Sequence, residues 1–375
     1  MRMAVIGSGI SGLAAAWLLS RKHEVVLFEQ EGHAGGHTYT VQAPQGPAVD
    51  LGFIVYNERN YPHLSAMLRT LDIATGDSPM SFAVSIGGGD FEYAGDGNVL
   101  RMFAQRRNWL SARHHRMWIQ ILRLNRAVRG LLARDALPDV SLGDWLDRHG
   151  YGDELRSRYL LPMCAAIWSC SPREALAFPF PAFARFFDAH GLLQVIDGPK
   201  WRHVSGGSRR YAQRLLAEFS ARGQLRLGTP VRAVRRTDAA AWVATHTGEE
   251  RFDAVVSAAH ADQALQLLAD ADEHERTLLS PFGAAANEAV LHTDVSLMPR
   301  RRGAWCAWNF LAPEEGVGAG PVCVSYWMNR LQALPGQVPY IVTLNPWRQP
   351  DPNKVLHRVR FEHPVFSRAA MAAQR

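Results

Sequence analysis

Three features predict an α/β protein in which a parallel-sheet domain is interrupted by a mixed α+β domain. The opening thirty residues read as strand, glycine turn, helix and strand. A second glycine-rich turn follows at residues 32–38, and a strand–helix pattern of the first kind returns after residue 200. The opening unit is the most specific. Met3–Ile6 is a short apolar run suited to a strand buried on both faces. Gly7, Gly9 and Gly12 follow as G-x-G-x-x-G, with Ser8, Ile10 and Ser11 at the intervening positions. Leu13–Leu19 continues as a helix, and Val25–Phe28 is a second apolar strand ending at Glu29. Gly7 permits a tight strand-to-helix turn, Gly9 lets backbone N–H groups approach a pyrophosphate, and Gly12 lets the helix lie close to the sheet. Glu29, with Gln30 behind it, stands about twenty residues beyond the turn, where an acid reaches a ribose hydroxyl. The unit is therefore Rossmann-like.

A signal peptide over residues 1–20 is the competing reading of this start. Three glycines interrupt its apolar stretch, no small-x-small cleavage site follows, and the second strand arrives where a βαβ unit needs it. The 375 residues suffice for two domains, and no run of about twenty apolar residues predicts a membrane span. Cys164, Cys170, Cys306 and Cys323 show no C-x-x-C pairing, so neither a metal set nor a disulfide framework is expected, and reduced thiols suit the cytoplasm. From Gly97 to Arg134 there are nine arginines and no acid. Leu110, Met117, Ile121, Leu124, Val128 and Leu131 mark one face of a helix there, with Arg116, Arg123, Arg126 and Arg129 on the other side. Two readings stand: a surface helix with its arginines in water, or an amphipathic helix resting on the anionic inner face of a membrane. No motif points to nucleic acid.

The chain divides into residues 1–60 and 201–270 for the nucleotide-binding domain, 61–200 and 271–350 for the substrate domain, and 351–375 for the start of a return to the first. Residues 61–200 read as largely helical, with Ser141 placed to cap Leu142–His149. Gly206-Gly207-Ser208 precedes a helix over 210–222. Strands follow near Leu225–Leu227, Pro230–Arg235, Trp242–Thr247, Glu250–Phe252 and Ala254–Ala258, then a helix over Asp262–Leu268 and strand-and-turn character from 275 to 347.

VIGSGISGLAAAWLL, Glu29, the Gly35-Gly36 pair and the Asp50-x-Gly52 turn together resemble the flavin-containing amine oxidase superfamily, which includes protoporphyrinogen oxidases and phytoene-type desaturases. Thr229–Val234 and Phe252–Ala258 are similar to the same family's middle cofactor segment. GGHT followed by VDLGFIVYN looks most like a bacterial subgroup of NAD/FAD-binding oxidoreductases commonly encoded beside cyclopropane-fatty-acyl synthases. The resemblance implies a glutathione-reductase-like FAD domain, with Gly7–Gly12 at the FAD pyrophosphate and Glu29 at the adenosine ribose. It also implies Gly35, Gly36, His37 and Thr38 beside the ribityl chain and flavin, Gly52 close behind, and backbone groups of Val231 at the adenine. Hydride transfer from a substrate C–H bond to flavin N5 is the implied chemistry, on an apolar and in this subgroup fatty-acyl molecule, which would place the protein in fatty-acid metabolism. Two departures matter. His37 stands where many amine oxidases have Arg, which argues against an amine substrate. Relatives continue into a glycine-rich segment that covers the flavin, whereas no Gly follows Gly336, so a shortened form with looser FAD retention is expected. An NAD(P)-dependent dehydrogenase and a cofactor-poor lipid- or partner-binding remnant remain the alternatives.

No acid–base pair announces itself. His37 is the polar side chain expected nearest the flavin, as a catalytic group or, more simply, as a group orienting its turn. Asp50 suits tying down its own turn better than proton abstraction. Tyr56 and Asn57 face either an active site or a strand-end turn. Trp305, Trp308, Tyr326, Trp327 and Trp347 form either an aromatic wall or core, and Met163–Trp168 has the same two readings. His260 is expected near the cofactor domain with its role open, while His114-His115 and Arg300–Arg302 read as solvated.

Overall fold

The computed structural model describes residues 1–44, 46–95, 99–168, 170–194, 198–313, 322–365 and 367–374. Four parallel strands form the first sheet, in the order Gln224–Arg226, Glu24–Phe28, Arg2–Ile6 and Ala254–Ser257. Alternation along each strand assigns its two faces. Val5, Val25 and Leu27 face the helices Ile10–Leu19 and Arg209–Ser220, where Leu13, Ala16, Leu215 and Phe219 complete one core. Ala4, Val26 and Phe28 face the antiparallel meander Ala233–Thr237, Ala240–Thr245 and Gly248–Phe252, through Val243 and Phe252. Both faces are covered, which is why these strands read as continuous apolar runs.

A seven-stranded sheet makes the second layer system. Its order is Val355–Val365, Gly283–His292, Ile341–Leu344, Cys323–Trp327, Trp308–Ala312, Phe82–Ile86 and Phe91–Gly95. All neighbours are antiparallel except Trp308–Ala312 with Phe82–Ile86. The helices Ala112–Ala133, Leu142–Arg148, Leu161–Trp168 and Phe180–Ala189 share one large core with this sheet. Ser141 caps the second of them by accepting from Asp144 N–H.

Residues 61–200 are largely helical, and Phe82–Ile86 and Phe91–Gly95 add an edge hairpin to the large sheet. Two expectations are corrected. Residues 351–375 do not return directly to the nucleotide layer. Val355–Val365 pairs along Gly283–His292, and only its end reaches back toward the glycine turns. The clusters read as solvated are partly structural: His114 is fully buried, and Arg301 pairs at 2.9 Å with the buried Glu92.

Asp50 ties the two systems together. Its carboxylate accepts from Ser208 N–H at 2.9 and 3.0 Å, from Ser208 Oγ at 2.8 Å, from Gln332 Nε2 at 2.8 Å and from the Thr40 hydroxyl. It thereby joins the glycine segment, the start of helix Arg209–Ser220 and the end of the helical turn Met328–Leu331. Burial raises its pKa to about 6 against the donors that favour the ionised form. Every carboxylate oxygen is thus committed to structure. Asp50→Asn keeps the shape but turns an NH2 group toward donors, so unfolding midpoints in denaturant should report a loss of about 1–3 kcal/mol. An unchanged midpoint would remove Asp50 as the joint.

Candidate functional site

The first glycine turn is a close contact between backbones. Gly7 has φ +93°, and a Cβ on Gly12 would lie 1.8 Å from Gly7 O. Gly9 differs, because a Cβ there would meet nothing within 4 Å. It sits at the start of helix Ile10–Leu19, which has no side-chain cap and no acid in its first turn. The first N–H groups of a helix lack intrahelical acceptors, so an uncapped end beside open space is an anion site in waiting. Ile10 packs partly on the helix-side core, and Ser11 is exposed at the same turn.

Glu29 is nearly buried at the end of its strand. Its carboxylate accepts from Ser8 N–H at 2.8 Å, from the Ser8 hydroxyl, and from Glu31 N–H at 2.9 Å. Ser8 therefore points at Glu29 and not into the open space. Gln30 is exposed. Gly228 N–H and Thr229 N–H donate to the carbonyls of Glu31 and Glu29, which brings the segment before Val231 alongside the acid. Val231 itself packs against the meander-side core.

The second glycine turn meets the first. Gly35 N–H donates to Ser8 O at 3.0 Å, and Gly36, at φ +54°, backs onto Gly9 with its absent Cβ only 3.1 Å from Gly9 Cα. Beyond it the chain crosses the 50–53 turn, where a Cβ on Gly52 would fall 2.1 Å from His37 O and Phe53 N–H donates to that same carbonyl. Gly52 and Phe53 in turn line a cavity of about 1900 Å³ between the large sheet and the helices. One line of glycine backbone therefore runs from Gly9 through Gly36 to the cavity mouth. Thr38 does not offer a free hydroxyl along it, since its Oγ1 lies 3.0 Å from the Tyr211 hydroxyl.

The cavity wall sorts the aromatic expectations. Trp308 and Tyr326 line it in an edge-to-face pair, centroids 5.0 Å apart, as do Met163, Ile167 and Trp168. Trp305 is buried against Trp327 away from it, and Trp347 is exposed. Tyr56 and Asn57 are buried in the small sheet that pairs Val55–Asn57 with Trp201–Val204. Trp308 Nε1 is buried without a hydrogen-bond partner among the described residues, a polar handle at an apolar wall. Asp77 and Asp139 at the lining lie 3.6 and 3.7 Å from Arg202 and Arg368 respectively.

His37 has company that its position in the sequence does not announce. Its ring stacks at 5.9 Å on His260 and lies 5.0 Å from Phe361 and 5.5 Å from His363, so the last strand closes over the second glycine turn. Burial, then the two neighbouring histidines, lowers the His37 pKa to about 4. Of the surface arginines, Arg116 lies 3.3 Å from Glu154, and Arg123 donates to His149 O at 2.6 Å. Two of the four expected membrane cations thus have internal partners.

With this geometry in hand, comparison with known proteins gives consistent results. The family model for flavin containing amine oxidoreductases matches residues 10–347. A Mycobacterium tuberculosis protein named for flavin-containing monoamine oxidase is 27% identical over 277 residues, 68% of this chain and 56% of that relative, so the match spans little more than half its length. Cyclohexylamine oxidase from Brevibacterium oxydans superposes with a TM-score of 0.71 at 16% identity, over 100% of this chain and 90% of that one. A fatty acid isomerase of P. acnes that produces CLA gives 0.65 at 14%, over 97% and 86%. At such identities the two structures establish a shared fold.

Between the ordinary histidine value of 6.5 and about 4, the unfolded chain binds more protons at His37 than the native one, so native stability falls as pH drops through that window. Thermal midpoints at about pH 7 and about pH 5 should therefore differ. His37→Phe keeps the ring packing without the titration and should shrink the difference; an undiminished difference would exonerate His37.

Proposed function

The chain belongs to the flavin-containing amine oxidoreductase family, and from that premise we propose that it is an FAD-dependent oxidoreductase acting on an apolar, fatty-acyl-like substrate. Flavin bound along the glycine line would supply the hydride acceptor for oxidation of a substrate C–H bond. The polypeptide's own contribution is positional. The uncapped N–H groups after Gly9 hold the pyrophosphate, and Glu29, with two donors on Oε2 and one on Oε1, retains one lone pair on Oε1 for a ribose hydroxyl. Gly35 and Gly36 admit the extended cofactor a second time, His37 holds the end of the last strand against that turn, and Val231 offers its backbone to the adenine.

The observation that carries this reading is the open space over Gly9, at a glycine whose neighbours on both sides are packed to contact. For the substrate, the support is the aromatic cavity. Its carboxylates Asp77 and Asp139 are each beside an arginine, and Arg185 and Lys200 stand at the same lining. An ammonium group would find no lone carboxylate there among the described residues, whereas an apolar chain finds Trp168, Trp308 and Tyr326. Peripheral contact with an anionic membrane through Arg116, Arg123, Arg126 and Arg129 would supply such a substrate from the bilayer. No helix among the described residues is long and apolar enough to cross one.

Purified protein should be yellow and release FAD on denaturation. Gly9 has φ −60° and ψ 177°, conformations open to any residue, so Gly9→Val should fold with the thermal midpoint of the apoprotein and bind FAD at least tenfold more weakly. Gly12→Val should fail to fold, because its side chain collides with Gly7 O. Undiminished FAD content in Gly9→Val would sink the placement. A colourless protein stabilised by a nicotinamide dinucleotide and not by FAD would replace it.

A further inference from the structure

The outer side of residues 100–126 carries exposed apolar side chains among several exposed arginines. Leu110 is 94% exposed, Leu100 70%, Ile119 65%, Leu122 56% and Trp109 47%. Of the twelve exposed large hydrophobics among the described residues, five fall in this one stretch. Trp109, Ile119 and Leu122 are joined through His115. The turn Arg106–Leu110 is fastened to the long helix by Trp109, whose ring stacks on Phe103 at 4.2 Å and whose carbonyl oxygen lies 2.8 Å from His115 Nε2. His115, Ile119 and Leu122 then succeed one another along one side of helix Ala112–Ala133.

Arg106, Arg107, Arg113, Arg116 and Arg126 are exposed around this strip. Arg158 lies over the Phe91 ring at 4.5 Å, and the like charges of Arg113 and Arg107 add to burial in lowering its pKa, with Glu154 and Asp153 opposing. The opposite side of the same helix presents Trp118, Ile121 and Asn125 to the cavity.

We propose that this face docks on an anionic phospholipid bilayer. Leu110, Leu122 and the Trp109 ring enter the acyl boundary, while Arg106, Arg107 and Arg113 meet lipid phosphates. The segment combines the two halves of an interfacial element, an apolar edge and a cationic rim. A nucleic acid would leave Leu110 and Leu122 in water, and an uncharged protein partner would leave the arginines unanswered. The cavity's outer wall then becomes its membrane-bound wall. The inference rests on the membrane-contact part of the reading above and is independent of the flavin.

The full chain is tested for co-sedimentation with phosphatidylcholine vesicles with and without about one third phosphatidylglycerol. Binding only to the anionic vesicles is expected, weakening as salt rises. Leu110→Asp with Leu122→Asp should keep the thermal midpoint, since both side chains are exposed, and should weaken binding at least tenfold. Arg107→Gln with Arg113→Gln should weaken binding and flatten its salt dependence. An environment-sensitive dye on Leu110→Cys should shift to the blue on vesicles, the native thiols being buried or half-buried. Equal binding to neutral vesicles, or undiminished binding by the double Asp variant, would overturn the proposal. So would self-association abolished by that variant with no vesicle binding, which would assign the face to a second copy. Vesicle binding by a flavin-free preparation supports the docking and counts only against the cofactor reading, whereas a yellow protein that ignores vesicles overturns the docking alone.

Discussion

At the start of the helix Ile10–Leu19, three pieces of backbone share a space that one methyl group would close. Gly12 rests on the Gly7 carbonyl, Gly36 backs onto Gly9, and Gly35 N–H donates to Ser8 O. Contacts this close need residues without Cβ on the approaching sides, and Gly7, Gly35 and Gly36 have positive φ as well. The consequence is geometric. The space a Cβ on Gly9 would take stays open, while Gly36 backs onto Gly9 from another side.

What holds that arrangement is a set of buried polar joints between distant parts of the chain. Glu29 clamps Ser8, so the first turn cannot slide along its strand. Asp50 gathers Thr40, Ser208 and Gln332 from three separate elements. A buried carboxylate is costly unless its oxygens are filled, and here they are. The same joint fixes the crossing of the 50–53 turn under His37, where Gly52 is again the only residue that fits. The glycine turns and the cavity edge at Gly52 are therefore tied to one network through Asp50.

The large sheet contributes a wall. Trp308 and Tyr326 project from neighbouring antiparallel strands onto the helix-facing side, opposite Ile121 and Met163. The long arginine helix closes the cavity with one side and faces outward with the other, so any surface it meets is only one helix away from the cavity. The last strand is held at the second glycine turn by ring contacts among His37, His260, Phe361 and His363.

The sequence by itself determined the opening strand–turn–helix–strand, the close backbone approach at Gly7 and Gly12, the Ser141 cap, and the buried stripe of the arginine helix from Met117 to Val128, although Leu110, read into that stripe, stands exposed in the turn before the helix. Each is a local signal, a spacing or periodicity completed within about thirty residues. Tertiary structure alone decided that Phe82–Ile86 pairs in parallel with Trp308–Ala312, that Asp50 meets Gln332, that His363 returns to His37, and that Trp308 lines the cavity while Trp305 does not. Short apolar runs such as residues 82–86 carry no periodicity long enough to distinguish strand from helix. Which distant strands become neighbours depends on the packing of whole layers, and so does the side on which an aromatic ring ends up.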